Sequence, residues 1–155
     1  MAEVPEGIEA PAVIAWLAER VELTEPVDFE LFTGGRSNLT YLVSDAAGRR
    51  WVLRRPPLSD VLATAHDMAR EHKILTGLAH SAVPVPACVG LEPTGEVNQA
   101  PFYVMEHVEG HIIRTAADFE VVPVEHRRQA GEELADVLAA IHAVVPAEVG
   151  LDDLG

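Results

Sequence analysis

Residues 27–57 read VDFELFTGGRSNLTYLVSDAAGRRWVLRRPP. Val27, Phe29 and Leu31 alternate with Asp28 and Glu30, the period of a strand with one buried face. Thr33-Gly34-Gly35-Arg36-Ser37-Asn38 interrupts that strand as a turn. Leu39, Tyr41 and Val43 resume the alternation, Ala47-Gly48 turns the chain again, and Trp51-Val52-Leu53 reads as a third strand. Pro56-Pro57 ends it, because proline cannot donate to a ladder. Residues 27–54 are therefore expected to form an antiparallel three-strand meander.

Upstream, Pro11 suits the first turn of a helix. Val13, Ile14, Leu17 and Val21 recur at helical spacing and predict a helix over about 11–22. Downstream, Val61, Ala65, Met68, His72, Leu75 and Leu78 predict a helix over 60–78, ending near Gly77 or Ala79-His80. Val83-Pro84-Val85-Pro86 must be extended. Ala87–Leu91 and Phe102–Glu106 read as two strands, with the loop Glu92-Pro93-Thr94-Gly95 between them. Pro123 opens a last helix with the apolar set Leu134, Leu138, Ile141 and Val145. The expected fold class is α+β: a five-stranded antiparallel sheet, one helix between strands three and four, and flanking helices. The expected divisions are an extension and helix (1–26), the sheet region (27–107) and a joint with one helix (108–155).

The whole chain has 155 residues, a net charge of −14 and one cysteine. That charge disfavours nucleic-acid backbones and anionic membranes. One cysteine excludes an internal disulfide framework. No apolar run is long enough to cross a membrane, and the acidic start lacks a basic leader, so a cytoplasmic location is expected. The basic residues are ten arginines and one lysine, Lys73. Any site needing a second lysine must use arginine.

Three features can carry chemistry together. The paired glycines Gly34 and Gly35, with Ser37 and Asn38, can form a turn whose N–H groups cradle an anion, although taken alone the turn is also an ordinary hairpin. Arg54 ends the third strand and can hold phosphate oxygens; alone it reads equally as a solvated charge. Arg55 points to the other face, since strand side chains alternate. Glu71 sits three residues after Met68 and four before Leu75, on or beside the buried face of its helix. A carboxylate there needs a partner or must reach water. Lys73, two positions on, points away, so a strand cation is the expected partner of Glu71. Cys88 reads as a small core residue. His107-Val108-Glu109-Gly110-His111 does not fit a helical metal motif.

A glycine turn, a third-strand cation and a helix carboxylate, in that order, form the arrangement of a kinase N-terminal lobe. The segments FTGGRSNLTYLV (32–43), WVLRRPP (51–57), MAREHKIL (68–75), VPVPACVGL (83–91), PFYVMEHVEG (101–110) and LADVLAAIHAV (134–144) resemble the aminoglycoside phosphotransferase and choline-kinase-like family. They are particularly similar to the branch that also occurs fused to acyl-CoA dehydrogenases. The resemblance implies a kinase-like fold that transfers the γ-phosphoryl of ATP, or of GTP, to a hydroxyl of a small molecule. It implies that Gly34, Gly35, Ser37 and Asn38 cover the nucleotide phosphates, that Arg54 binds them and that Glu71 pairs with Arg54. It also implies a hinge at VMEHVEG, where the backbone of Glu106 and Val108 meets adenine and Met105 lines the pocket. The general kinase pattern has lysine at this strand-three position. Arginine here keeps the charge and alters reach and geometry.

The family's catalytic loop needs an Asp with an Asn five positions later. Asn38 and Asn98 are preceded at that distance by Thr33 and Pro93. No catalytic residue is therefore assigned within these 155 residues, and ligands for Mg²⁺ are expected outside them. The chain reads as stopping just inside a second lobe. The stripe Leu134, Leu138, Ile141 and Val145 would then face a missing C-terminal lobe or promote self-association. The alternative is a chain complete at 155 residues that acts as a non-catalytic nucleotide- or partner-binding module.

Overall fold

The structure is a computed structural model, and it describes residues 4–32, 38–58, 67–113 and 115–154. The elements in order are α1 (Ala10–Ala18), β1 (Val27–Leu31), β2 (Leu39–Asp45), β3 (Arg50–Arg55), α2 (Met68–Leu78), β4 (Cys88–Glu92), β5 (Phe102–Glu106) and α3 (Val124–Ala143). Short 3₁₀ turns occupy Asp118–Val121 and Pro146–Val149. The five strands form one sheet in the order β1-β2-β3-β5-β4, with every neighbouring pair antiparallel. This is the expected α+β fold, and α2 is its insertion between the third and fourth strands.

The chain divides into two compact units. One comprises residues 1–76 and 86–107, the other residues 77–85 and 108–155.

The first unit holds the sheet and its core. Alternation sends Phe29, Tyr41, Val43, Trp51, Leu53, Phe102 and Val104 to one face, where they pack with Val13, Trp16 and Leu17 of α1. The ring of Trp16 stands edge-on to Phe102 with centroids 4.9 Å apart. The buried set of α1 thus includes Trp16 beside Val13 and Leu17, the i, i+3, i+4 pattern of one helix face. The helix stops at Ala18, short of the expected 22. Arg20 explains the stop: its Nη1 donates to the Trp16 carbonyl at 2.6 Å, and its guanidinium lies 3.9 Å from the Trp16 ring. A side chain there satisfies a carbonyl that another turn would have used.

Glu6, Gly7 and Glu9, expected from sequence to belong to an N-terminal extension, are tied to residues of the sheet unit. Tyr41 donates its hydroxyl to the Glu6 carbonyl at 2.7 Å, and the buried Asn98 accepts the Glu9 N–H at 2.8 Å. Arg55, buried on the α1 side of the sheet, donates to the carbonyl of Gly7. Gly7 has a φ of +88°, and a side chain on it would meet the Tyr41 hydroxyl at 2.8 Å. Only glycine lets the chain pass that close.

The part of the expected helix at 60–66 lies outside the described residues. Within α2, Met68 is buried, while Leu75 and Leu78 are only half-buried. Cys88, expected in the core, is half-buried.

In the second unit, Pro123 stands immediately before α3, as expected. Arg127 donates to the Val122 carbonyl at 2.9 Å and lies over the Phe119 ring at 5.9 Å. α3 has no buried residue; Leu134, Leu138 and Ile141 are 71%, 52% and 48% exposed. Among the described residues, no helix is long and apolar enough to cross a membrane.

Candidate functional site

The face of the sheet opposite α1 carries a polar cluster, and strand register builds it. Thr40 lies directly across from Arg54, and Arg54 directly across from Tyr103. The three side chains form one cross-strand row over β2, β3 and β5. Leu53 and Val104, one step away, face the core, so alternation sends the row to the other side.

Glu71 of α2 meets this row. Its Oε2 accepts the Arg54 Nε–H at 3.1 Å and the Tyr103 hydroxyl at 2.9 Å. Its Oε1 accepts the Asn38 amide at 2.7 Å. Arg54 donates from Nη1 to Thr40 Oγ1 at 3.3 Å. The Arg54 and Glu71 side chains are 29% and 32% exposed, so water weakens the ion pair taken by itself. What the cluster supplies is orientation. Three neighbours, Thr40 of β2, Tyr103 of β5 and Asn38, fix one carboxylate and one guanidinium.

The electrostatics keep Tyr103 a donor. Burial first, and then the nearby Glu71 carboxylate, push its phenol well above the usual tyrosine range. The ring of His72 stands edge-on to that of Tyr103 with centroids 6.2 Å apart, and burial lowers the His72 imidazole below its usual range.

The pairing of Glu71 with a strand cation, expected from sequence, is present in the structure. Asn38 is placed with its amide on Glu71. Gly34, Gly35 and Ser37 lie outside the described residues. Met105 is half-buried on β5 and Glu106 is exposed at the strand's end, its N–H donating to the Ala87 carbonyl at 2.8 Å. Val108 is exposed and belongs to the second unit.

Sequence reasoning missed Thr40 and Tyr103. The signal was available for Tyr103: it stands between Phe102 and Val104 in a strand, so alternation puts it on the face opposite theirs. Thr40 needed the β2–β3 register, which the turn at Ala47-Gly48 sets.

Three comparisons bear on this arrangement. The model of a family described as the phosphotransferase enzyme family matches residues 28–155. Among curated proteins, the chain is 33% identical over 132 residues to acyl-CoA dehydrogenase family member 10 of Mus musculus, covering 85% of this chain and 12% of that protein. It is 33% identical over 124 residues to acyl-CoA dehydrogenase family member 11 of Gallus gallus, covering 80% of this chain and 16% of that one. The chain thus spans under a fifth of the length of these relatives. Among solved structures, a candidate aminoglycoside phosphotransferase from Ralstonia eutropha JMP134 superposes with a TM-score of 0.74 at 28% identity, over 95% of this chain and 42% of that one.

Proposed function

The chain belongs to the phosphotransferase enzyme family, and on that premise we propose that it is the nucleotide-binding portion of an ATP-dependent enzyme that phosphorylates a hydroxyl of a small molecule. The observation that carries the reading is the Glu71 cluster. A guanidinium held by a carboxylate, a threonine and strand register is a fixed positive charge at the end of β3. A fixed cation suits phosphate oxygens, because little side-chain entropy is lost when the ligand arrives.

In this reading Arg54 takes the phosphates of ATP or, alternatively, GTP. Gly34, Gly35 and Ser37 supply backbone and hydroxyl donors, and Asn38 supports them from the end of the turn. Met105 lines the base pocket. The Glu106 N–H is already spent on Ala87, so the carbonyl is the group Glu106 offers to an adenine amino group, with the Val108 N–H as its counterpart. Magnesium does not fit the described cluster: both oxygens of Glu71 accept N–H or O–H donors. The metal ligands and the catalytic base are assigned outside these 155 residues, and so is most of the pocket for the hydroxylated acceptor. The exposed stripe of α3 is assigned to self-association or to further protein on that face, and the cytoplasm is the assigned location.

The second reading is a module that binds nucleotide, or a partner, without turnover. Calorimetric titration of the 155-residue chain with Mg·ATP and Mg·GTP tests both readings. Saturable binding that Arg54→Ala abolishes supports a nucleotide site. Absence of binding by a folded chain removes it. Release of ADP by the chain alone removes the non-catalytic alternative.

A further inference from the structure

Arg54 and Glu71 could pair in a second way that the structure does not use. A guanidinium and a carboxylate commonly meet as a fork of two parallel N–H···O bonds. Here they meet through one, from Nε to Oε2 at 3.1 Å. Oε1, the oxygen a fork would need, accepts Asn38 Nδ2 at 2.7 Å. Tyr103 shares Oε2 from the other side at 2.9 Å. Asn38 is 8% exposed, so water competes little for its amide.

From this geometry we infer that Asn38 is a positioning residue that keeps the Arg54–Glu71 pair single-pronged, leaving an edge of the guanidinium to an anionic ligand; the inference rests on the nucleotide reading above. Arginine has five N–H donors, all in one plane. A fork commits two of them to Glu71 and turns the plane toward the helix. A single prong commits one, and Thr40 takes a second from Nη1. Chain direction explains how Asn38 reaches the carboxylate. It lies two residues before Thr40, and strand alternation carried back by one step places both on the Arg54 side of the sheet. The device also answers the identity of residue 54. A lysine ammonium is a point charge with no fork to form, so it needs no guard on the second oxygen. The asparagine and the arginine are a matched pair.

The test is a cycle of variants in the 155-residue chain: Asn38→Ala and Asn38→Ser, each with Arg54 retained and with Arg54→Lys. Mg·ATP affinity is read by calorimetry, and the Arg54 guanidinium by ¹⁵N-edited NMR in the absence of nucleotide. With arginine at position 54, Asn38→Ala is expected to weaken Mg·ATP binding roughly tenfold, the worth of one charge-assisted hydrogen bond. With lysine, the loss should be under about twofold. The NMR should report slowed rotation of the Arg54 Nη groups in Asn38→Ala, as the fork closes. Equal losses in both backgrounds would make Asn38 a plain structural support and overturn the inference. Asn38→Ser removes the same donor with a smaller change in polarity and carries the test if the alanine variant does not fold. If the unsubstituted chain binds no Mg·ATP, the nucleotide reading fails on its own. The NMR then decides: unchanged Arg54 rotation overturns the role given to Asn38, and slowed rotation upholds it.

Discussion

The Tyr103 hydroxyl lies 2.9 Å from Oε2 of Glu71, the oxygen that also accepts Arg54 Nε. A residue on β5 and one on α2, 32 positions apart, are thereby tied through a carboxylate that holds the only cation of the cross-strand row. With the bonds to Arg54 and Asn38, this hydrogen bond is one of three by which Glu71 ties α2 to residues of β3, β5 and the start of β2.

Tyr103→Phe tests that link. Phenylalanine keeps the ring and its buried packing and removes one hydroxyl. The expected loss is about 1 kcal/mol of stability, the usual net worth of one buried hydrogen bond. Urea unfolding followed by circular dichroism measures it. An unchanged midpoint would mean that the hydroxyl contributes nothing to holding α2.

Glu71→Ala in the whole protein that carries this chain should lower phosphoryl transfer by roughly a hundredfold, because Arg54 loses its anchor and a small misplacement of a binding group is costly. Steady-state assays of ADP release measure the effect. Turnover near that of the unsubstituted protein would take the Arg54–Glu71 pair out of the site.

Stability should fall as pH falls through the histidine range, in part through His72. Burial lowers its imidazole below the ordinary value of 6.5. Between the two values the unfolded chain binds more protons than the folded one, so acid favours unfolding. The contribution is intact above about pH 6.5 and fades as pH falls toward the lowered value. Urea midpoints at neutral and mildly acidic pH should differ less in His72→Phe than in the unsubstituted chain. An identical difference would assign the acid sensitivity to other groups.

Leu17→Ala should cost about 3 kcal/mol, the typical penalty for emptying a leucine site in a closed core. Leu17 is fully buried among the sheet residues. Removal of residues 1–20 should therefore unfold the sheet unit. A truncated chain that retained cooperative unfolding would restore the view of this segment as a separable extension.

The exposed α3 stripe should drive concentration-dependent self-association of the 155-residue chain, and Leu138→Asp with Ile141→Asp should suppress it. Both residues are about half exposed, at 52% and 48%. Sedimentation velocity over a range of concentrations checks this. A monodisperse monomer before substitution would leave the stripe without a role in association.

Much of this architecture was legible because strand alternation and turn chemistry are local. The pattern of residues 27–54 predicted three strands, and the observed bounds Val27–Leu31, Leu39–Asp45 and Arg50–Arg55 follow it closely. That Glu71 pairs with a strand cation was legible too, since helix phase turned Lys73 away; that the cation is Arg54 was what the family resemblance implied. The end of α1 was not. Apolar periodicity ran on to Val21, but a hydrogen bond from Arg20 to the Trp16 carbonyl closed the helix earlier. The packing of the first residues was equally hidden, because Tyr41, Arg55 and Asn98 reach them from far along the chain.

By itself, the sequence determined the strand periods, the order of elements and the identity of one cation and one carboxylate, because each depends on neighbours within a few residues. Tertiary structure alone decided that Thr40, Arg54 and Tyr103 stand in a row and that Asn38 occupies the second oxygen of Glu71. Those facts depend on which strand lies beside which and in what register. Pairing across an antiparallel sheet is set by turn geometry and by the packing of a whole face, and no single segment contains that information.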